Sequence, residues 1–162
     1  MRACVVFEPC ADRARLLDFL AERYGMAPAV FDDFTFWCRP GAPSIWMTTA
    51  ALELPPGPHV EALGVLVMRK PPPAGKPTST FLMRMGGHAT RQALDLDDAG
   101  AAAFLRRESL DLSATAVDGA EGVRGYCVVR DRIGVIGCGF VQGGVLRSEL
   151  PRAWTEGVES DG

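Results

Sequence analysis

Histidine is scarce in this sequence, and cysteine is not spaced for metal binding. Two histidines, His59 and His88, occur in 162 residues. No two cysteines stand in a C-x-x-C pair, the usual spacing of zinc ligands. A zinc site is therefore not expected, and no cofactor is predicted. Since free cysteine behaves as a small buried apolar group, all five cysteines are expected to be reduced core residues. They are Cys4, Cys10, Cys38, Cys127 and Cys138.

The motifs of common catalytic sites are also lacking. The chain has no G-x-S-x-G elbow, no G-x-x-x-x-G-K-[ST] phosphate loop and no G-x-G-x-x-G after a strand. Cys127 or Cys138 would form a nucleophile pair with His88, but residues alternating within predicted strands are better explained as core. The pairs Asp32–Asp33 and Asp97–Asp98 are better explained as carboxylates of a turn and of a helix start than as catalytic acid–base pairs. We expect no enzyme activity from this chain.

Long apolar runs are missing as well. No window approaches the roughly 20 apolar residues that a membrane span requires. The segment Met1–Glu8 is too short, and too soon acidic, for a secretory signal. A soluble protein in the cytoplasm, without a membrane partner, is the expectation.

Charge is distributed unevenly along the chain. Residues 1–63 hold five arginines and eight acidic residues, and residues 64–154 hold twelve basic and nine acidic residues. Residues 155–162 add three acidic residues, which brings the net charge to −3. The middle segment is thus mildly basic between two acidic ones. An excess of this kind is a hint of phosphate binding, although a solvated surface of mixed charge is the commoner explanation.

The first sixty residues predict a small α/β unit. Ala3–Phe7 is rich in valine and suits a buried strand. Asp12 is placed to cap a helix that runs to Tyr24, where Gly25 ends it in the left-handed conformation. Thr35–Cys38 and Ser44–Thr48 then predict two strands joined by a proline- and glycine-containing turn.

The next segment mixes strands and short helices. Residues 62–69 predict a buried strand, so the domain boundary is placed near residue 60. Pro77 suits the start of a helix in which Phe81, Met85 and Ala89 share one face. After it, residues 92–96 predict a strand, Asp97 and Asp98 start a second helix, and residues 110–116 suggest a further strand.

The last part of the chain predicts a hairpin. Two apolar runs, residues 125–129 and 133–140, flank Arg130-Asp131-Arg132, which is expected to be a solvated linker. Glycines interrupt the second run, as in a sheet that closes on itself, and Pro151 ends the pattern.

An ordered series of short motifs resembles the PUA domain, a small RNA-binding pseudo-barrel. The motifs are Lys76-Pro77-Thr78, Gly86-Gly87-His88-Ala89-Thr90, Gly125-Tyr126-Cys127-Val128-Val129, Gly137-Cys138-Gly139 and Leu146-Arg147-Ser148-Glu149-Leu150-Pro151. The chain is most similar to ribosome-biogenesis proteins with a pre-PUA domain before the PUA domain, and to the PUA-like C-terminal domain of NOL/NOP/Sun RNA cytosine-5 methyltransferases. The resemblance implies an α+β protein: a small pre-PUA-like α/β domain at 1–60, a PUA-like mixed-sheet pseudo-barrel at 61–154, and an acidic tail at 155–162.

The same resemblance implies an RNA-facing surface formed by the 77–89 helix and adjoining strands. Basic residues flank that helix and the C-terminal segment, and Thr78 offers a hydroxyl and an amide to a phosphate. The predicted partner is structured rRNA or tRNA, with an RNA-modifying enzyme or a ribosome assembly factor as a further partner. The predicted RNA-binding residues are Lys76, Thr78, Arg84, Arg91, Arg147, Ser148 and Arg152.

Two classes of function remain open at this point. The first is an RNA-binding accessory module in ribosome biogenesis or RNA modification, without catalysis of its own. The second is a protein-interaction module that has lost RNA binding and works with an RNA methyltransferase. Trp37, Trp46 and Trp154 would mark its contact surface, since tryptophan is enriched at interfaces.

Overall fold

A computed structural model describes residues 6–50, 52–54 and 60–154 of the chain. In these residues the α-helices are α1 (Arg13–Tyr24), α2 (Ser79–Met85) and α3 (Asp98–Leu105). The strands are β1 (Glu8–Pro9), β2 (Phe34–Arg39), β3 (Ala42–Thr49), β4 (Val65–Met68), β5 (Ala93–Leu96), β6 (Leu110–Asp111), β7 (Val117–Asp118), β8 (Gly125–Arg130), β9 (Val135–Gln142) and β10 (Val145–Ser148). Short 3₁₀ turns cover Pro28–Phe31, Gly86–His88 and Arg152–Trp154.

The first sheet has the strand order β1-β2-β3-β4, with antiparallel neighbours. The predicted hairpin of β2 and β3 is confirmed, and it turns at Gly41, where φ is +77°. The strand predicted at 62–69 is present but shorter, as β4 (Val65–Met68), which pairs with β3. This sheet therefore takes its fourth strand from beyond residue 60. The predicted division into domains at that residue stays a prediction.

Helix α1 packs on the first sheet through one apolar face. Leu16, Leu20 and Tyr24 are four residues apart and all buried, as expected for neighbours on one side of a helix. The helix follows Asp12, but the carboxylate of that residue accepts no capping hydrogen bond. It ends at Gly25, whose φ of +63° gives the predicted left-handed cap.

Two predictions at the start of the chain need correction. The described part of the predicted first strand, Val6 and Phe7, is not in a strand, and residues 3–5 lie outside the described residues. Strand β1 begins instead at Glu8, which pairs with Cys38 of β2. That register brings Cys10 within 5.1 Å of Cys38, Cα to Cα, and the two form a disulfide. They are therefore not reduced, contrary to expectation, because strand pairing joins cysteines that lie 28 positions apart.

The second sheet has six strands in the order β6-β10-β9-β8-β5-β7. Strands β5 and β8 are parallel, and the other neighbouring pairs are antiparallel. The sheet curls into a half-barrel. Buried residues such as Leu94, Val129 and Leu146 pack together on its inner side. The expected fold class, α+β with a PUA-like mixed sheet, is confirmed.

The predicted hairpin is present as β8 and β9, but its linker is shorter than expected. Arg130 belongs to β8 and is half-buried; its guanidinium donates to both carboxylate oxygens of Asp95 at 2.7 and 2.9 Å. It also donates to the carbonyl of Ala89 at 3.0 Å. The expectation of a solvated residue is therefore wrong for Arg130, because the parallel neighbour β5 brings an acid opposite it. Arg132 is exposed, as predicted.

Of the two helices in the second half, α3 begins as predicted, whereas α2 begins two residues after Pro77, at Ser79. Thr78 caps α2, and its hydroxyl accepts from the Phe81 amide at 3.2 Å. Asp97 caps α3 and accepts from the Gly100 amide at 2.7 Å. After α2 the chain continues as a 3₁₀ turn that reaches His88. The further strand suggested at 110–116 is limited to Leu110–Asp111, paired with β10.

One apolar cluster joins both sheets. It contains Leu20 and Tyr24 from α1, Phe81 from α2, and Val128 and Cys138 from the half-barrel. Val128 and Cys138 lie on the outer face of β8 and β9, opposite the inner face that holds Cys127 and Val129. At one end of the hairpin, the outer face is therefore part of the apolar core. At the other end, the outer face reaches the surface of the protein.

Candidate nucleic-acid interface

Two half-buried rings lie where the outer face of β8 and β9 reaches the surface. Tyr126 and Phe140 are direct cross-strand partners, and their ring centroids are 4.9 Å apart at an interplanar angle of 66°. Arg147 of β10 is the partner of Phe140 on the other side. Lys76 Nζ lies 3.9 Å from the centroid of the Tyr126 ring. We call Lys76, Tyr126, Phe140 and Arg147 the cation–aromatic stripe.

The two cations of the stripe differ in their neighbours. Lys76 Nζ lies 3.8 Å from the Glu149 carboxylate, and half of its side chain is exposed, so this pairing is weak. Arg147 is exposed, and its guanidinium has no hydrogen bond or ion pair to a described residue. One cation is therefore held against a ring, while the other is available to a ligand.

Further positive charge continues from the stripe toward the end of α1. Arg23 donates to the carbonyls of Arg124 at 2.9 Å and Tyr126 at 3.5 Å, which fixes its guanidinium beside β8. Arg124 itself is exposed. Arg91 donates to the carbonyl of Glu22 at 3.2 Å, one residue before Arg23. The resulting surface combines rings for base stacking with cations for phosphate contacts.

Two of the predicted site residues use their polar groups inside the protein. The Thr78 hydroxyl donates to the Leu66 carbonyl, and its amide donates to the Val67 carbonyl at 2.8 Å. Ser148 is buried, and its hydroxyl accepts from the Leu150 amide at 3.3 Å. Thr78 thus uses its hydroxyl and its amide as donors within the protein, and Ser148 is buried. Their assignment to RNA contacts stays a prediction.

The remaining predicted residues are distributed around the molecule. Lys76 and Arg147 come together in the stripe, and Arg91 lies near α1 and its Arg23. Arg84 lines a separate groove with Phe34 and residues 47–49, 52 and 63–65. Arg152 is exposed in the last 3₁₀ turn, where it has a partner of its own. The assignment of these residues to RNA contacts stays a prediction.

The two residues that give the surface its rings, Tyr126 and Phe140, are not among the predicted site residues. In the sequence they belong to strand motifs. The signal was available, since each stands two positions from a buried residue of the same face, Val128 or Cys138, at the outer end of its strand. Arg23 had no comparable signal, because its contacts lie about a hundred positions away.

The cysteines considered as nucleophiles are confirmed as core residues. Cys127 and Cys138 are both buried, and desolvation raises the pKa of each thiol to about 12. The thiolate, which is the reactive form, is therefore scarce at neutral pH. Among the described residues, no group of three histidine, cysteine or acidic side chains is placed to hold a metal. No described helix is long and apolar enough to cross a membrane.

Family comparisons divide the chain into two matched segments. Residues 91–155 match the model of the PUA domain of the methyltransferase RsmF. This segment contains strands β5 to β10, and with them the curled sheet. It is a PUA-like domain of the methyltransferase-associated type. Residues 6–64 match a family of unknown function, DUF7122. No curated protein matches the chain.

The cation–aromatic stripe uses more than the matched PUA-like segment. Tyr126, Phe140 and Arg147 belong to it, whereas Lys76 comes from the stretch between the two matched segments. Arg23, which borders the stripe, belongs to the DUF7122 segment. The surface is thus assembled by the PUA-like domain together with the chain that precedes it.

Proposed function

We propose that this chain is an RNA-binding accessory module that acts on structured rRNA or tRNA, in ribosome biogenesis or RNA modification. The match of residues 91–155 to a methyltransferase PUA domain supports the class of ligand. The cation–aromatic stripe is the observation that carries the proposal. It places Arg147 without a described partner beside two half-buried rings, an arrangement suited to phosphates and unstacked bases.

A separate catalytic partner is part of the proposal. The matched family is named for a methyltransferase, but the match covers its PUA domain only. The buried thiols, with pKa values raised to about 12, offer no nucleophile at neutral pH. This chain would hold RNA for an RNA-modifying enzyme or an assembly factor, and we place that work in the cytoplasm.

The alternative, a protein-interaction module, finds less support in the positions of the tryptophans. Trp37 is buried, and its indole donates to the Thr48 hydroxyl at 2.7 Å. It packs with Phe7 and Leu63, with Trp46 against the same cluster. These rings fill the outer side of the first sheet. The side chain of Trp154 lies outside the described residues.

Filter binding of structured RNA over a salt series tests the proposal. Arg147→Glu should weaken binding for all sequences alike, because phosphate contacts carry no sequence information. Losing one phosphate contact should lower the slope of log affinity against log salt by about 0.7–0.9. The charge reversal Arg84→Glu is the matched control, since Arg84 lines a different groove. Because that groove lies apart from the stripe, we expect a smaller effect of this reversal.

Two results would contradict the proposal. Undetectable binding at low salt would favour the protein-interaction module. Equal losses for the Arg147 and Arg84 variants would mean that binding follows total charge rather than the stripe.

A further inference from the structure

A second feature adjoins the stripe on the side of α1. A pocket of about 530 Å³ lies between α1 and the segment 73–77. Its size falls within the roughly 300–1,000 Å³ of small-ligand sites. We call it the α1 pocket, and its lining residues are Phe19, Arg23, Tyr24, residues 73–77 and Tyr126.

The walls of the α1 pocket combine flat apolar surface with positive charge. Phe19 and Tyr126 contribute aromatic rings, and Arg23 and Lys76 contribute cations. No acidic side chain is among the lining residues. Such a lining suits a planar, mostly apolar group that carries an anion, which is the chemistry of a nucleotide.

Tyr24 adds a polar group that is not satisfied within the protein. The residue is fully buried, and its O–H donates to no acceptor among the described residues. Burial raises its pKa to about 12, against the charge of Arg23 and a side-chain hydrogen bond from it, so the hydroxyl keeps its proton. Arginine has no acceptor atom, so Arg23 cannot accept that proton. A buried donor of this kind usually has an acceptor. The carbonyl oxygens and ring nitrogens of a base are acceptors of that type.

We propose that the α1 pocket receives one unstacked nucleotide of a bound RNA strand, with its base against Phe19 and Tyr126. The inference rests on the proposed function and deepens it. In this arrangement α1, which belongs to the DUF7122 segment, contacts one unpaired nucleotide beside the PUA-like domain. Lys76 and Tyr126 belong to both the pocket and the stripe, so one strand passes from the pocket to Arg147.

The test uses the full chain and RNA hairpins that carry one 2-aminopurine, either unpaired in a loop or paired in the stem. Stacking against an aromatic ring changes the fluorescence of this base. We expect a change for the unpaired position and none for the paired one. Adenosine monophosphate, added as a competitor, distinguishes a site for free nucleotides from one that needs a strand. It should displace the loop only at concentrations far above those of a competing oligonucleotide.

Two pocket variants and one matched control complete the test. Phe19→Leu removes a ring and should lower the affinity for the loop hairpin about fivefold or more, since base stacking is worth roughly 1–3 kcal/mol. Tyr24→Phe removes the buried O–H donor, leaves the packed ring and should lower the affinity about two- to tenfold. Phe34→Leu makes the same change at a half-buried ring in the Arg84 groove and should leave the affinity unchanged.

The outcomes separate this inference from the proposed function. Loss of binding on Arg147→Glu, without a fluorescence change and without an effect of the pocket variants, would overturn the inference and leave the proposed function standing. Strong competition by the mononucleotide would also overturn it, because the pocket would then be a free-nucleotide site. A fluorescence change that Phe19→Leu abolishes and Phe34→Leu preserves would support it.

Discussion

At the scale of single residues, two arginines only two positions apart have different roles. Arg130 has a side chain 21% exposed and binds both oxygens of Asp95, whereas Arg132 and its partner Asp98 are each 76% exposed. Water screens the exposed Arg132–Asp98 pair and competes for its hydrogen bonds. The Arg130–Asp95 pair is screened much less. The sequence showed one charged run. The parallel neighbour β5 partly buries Arg130 in an ion pair with Asp95, whereas Arg132 forms an ion pair at the surface.

The contrast gives a prediction for lysine substitutions. Arg130→Lys should destabilise the protein by about 1–3 kcal/mol, because lysine cannot reproduce the two parallel hydrogen bonds to Asp95 or keep the one to Ala89. Arg132→Lys should change the free energy of unfolding by less than about 0.5 kcal/mol. Urea unfolding of both variants measures the difference. Equal stabilities would show that the Arg130 pair is as weak as a surface pair.

At the scale of elements, the sequence predicted local structure well and long-range contacts poorly. The end of α1 at Gly25 and the start of α3 at Asp97 were predicted from residues that lie at those helix ends. The disulfide of Cys10 and the Asp95 pairing of Arg130 depend on which strands become neighbours. No local pattern contains that information, and the rings of the stripe were missed for the same reason.

Gly64 gives a prediction about the approach of β4 to β3. Its φ is +63°, and a Cβ there would lie 2.3 Å from the Met47 carbonyl oxygen, which is backbone and cannot rotate away. Gly41 has a φ of +77° with open space around it. Alanine at either position should cost about 1–2 kcal/mol for the left-handed backbone. Gly64→Ala should cost clearly more, since β4 must also move.

Thermal unfolding of the two alanine variants separates the two costs. The melting temperature of Gly64→Ala should fall below that of Gly41→Ala. If both fell equally, conformation alone would explain the loss and the close contact would be unimportant.

At the scale of the whole molecule, two families match the chain, but one apolar cluster runs through it. Leu20 and Tyr24 of the DUF7122 segment pack in the same cluster as Val128 and Cys138 of the PUA-like domain. Removal of the first segment would expose the outer face of β8 and β9 to water. Because burial of apolar area is the main source of stability, neither segment should be stable without the other.

We therefore predict that both segments unfold in one cooperative transition. Fluorescence of Trp37 and Trp46, in a Trp154→Phe background, follows the first sheet, and pulsed alkylation of Cys127 and Cys138 follows the half-barrel. These thiols are protected in the folded state by burial, so they become labelled only where the half-barrel opens. The two midpoints in urea should coincide. Tryptophan unfolding at lower urea, with the thiols still protected, would show that the predicted division near residue 60 also separates two independently stable units.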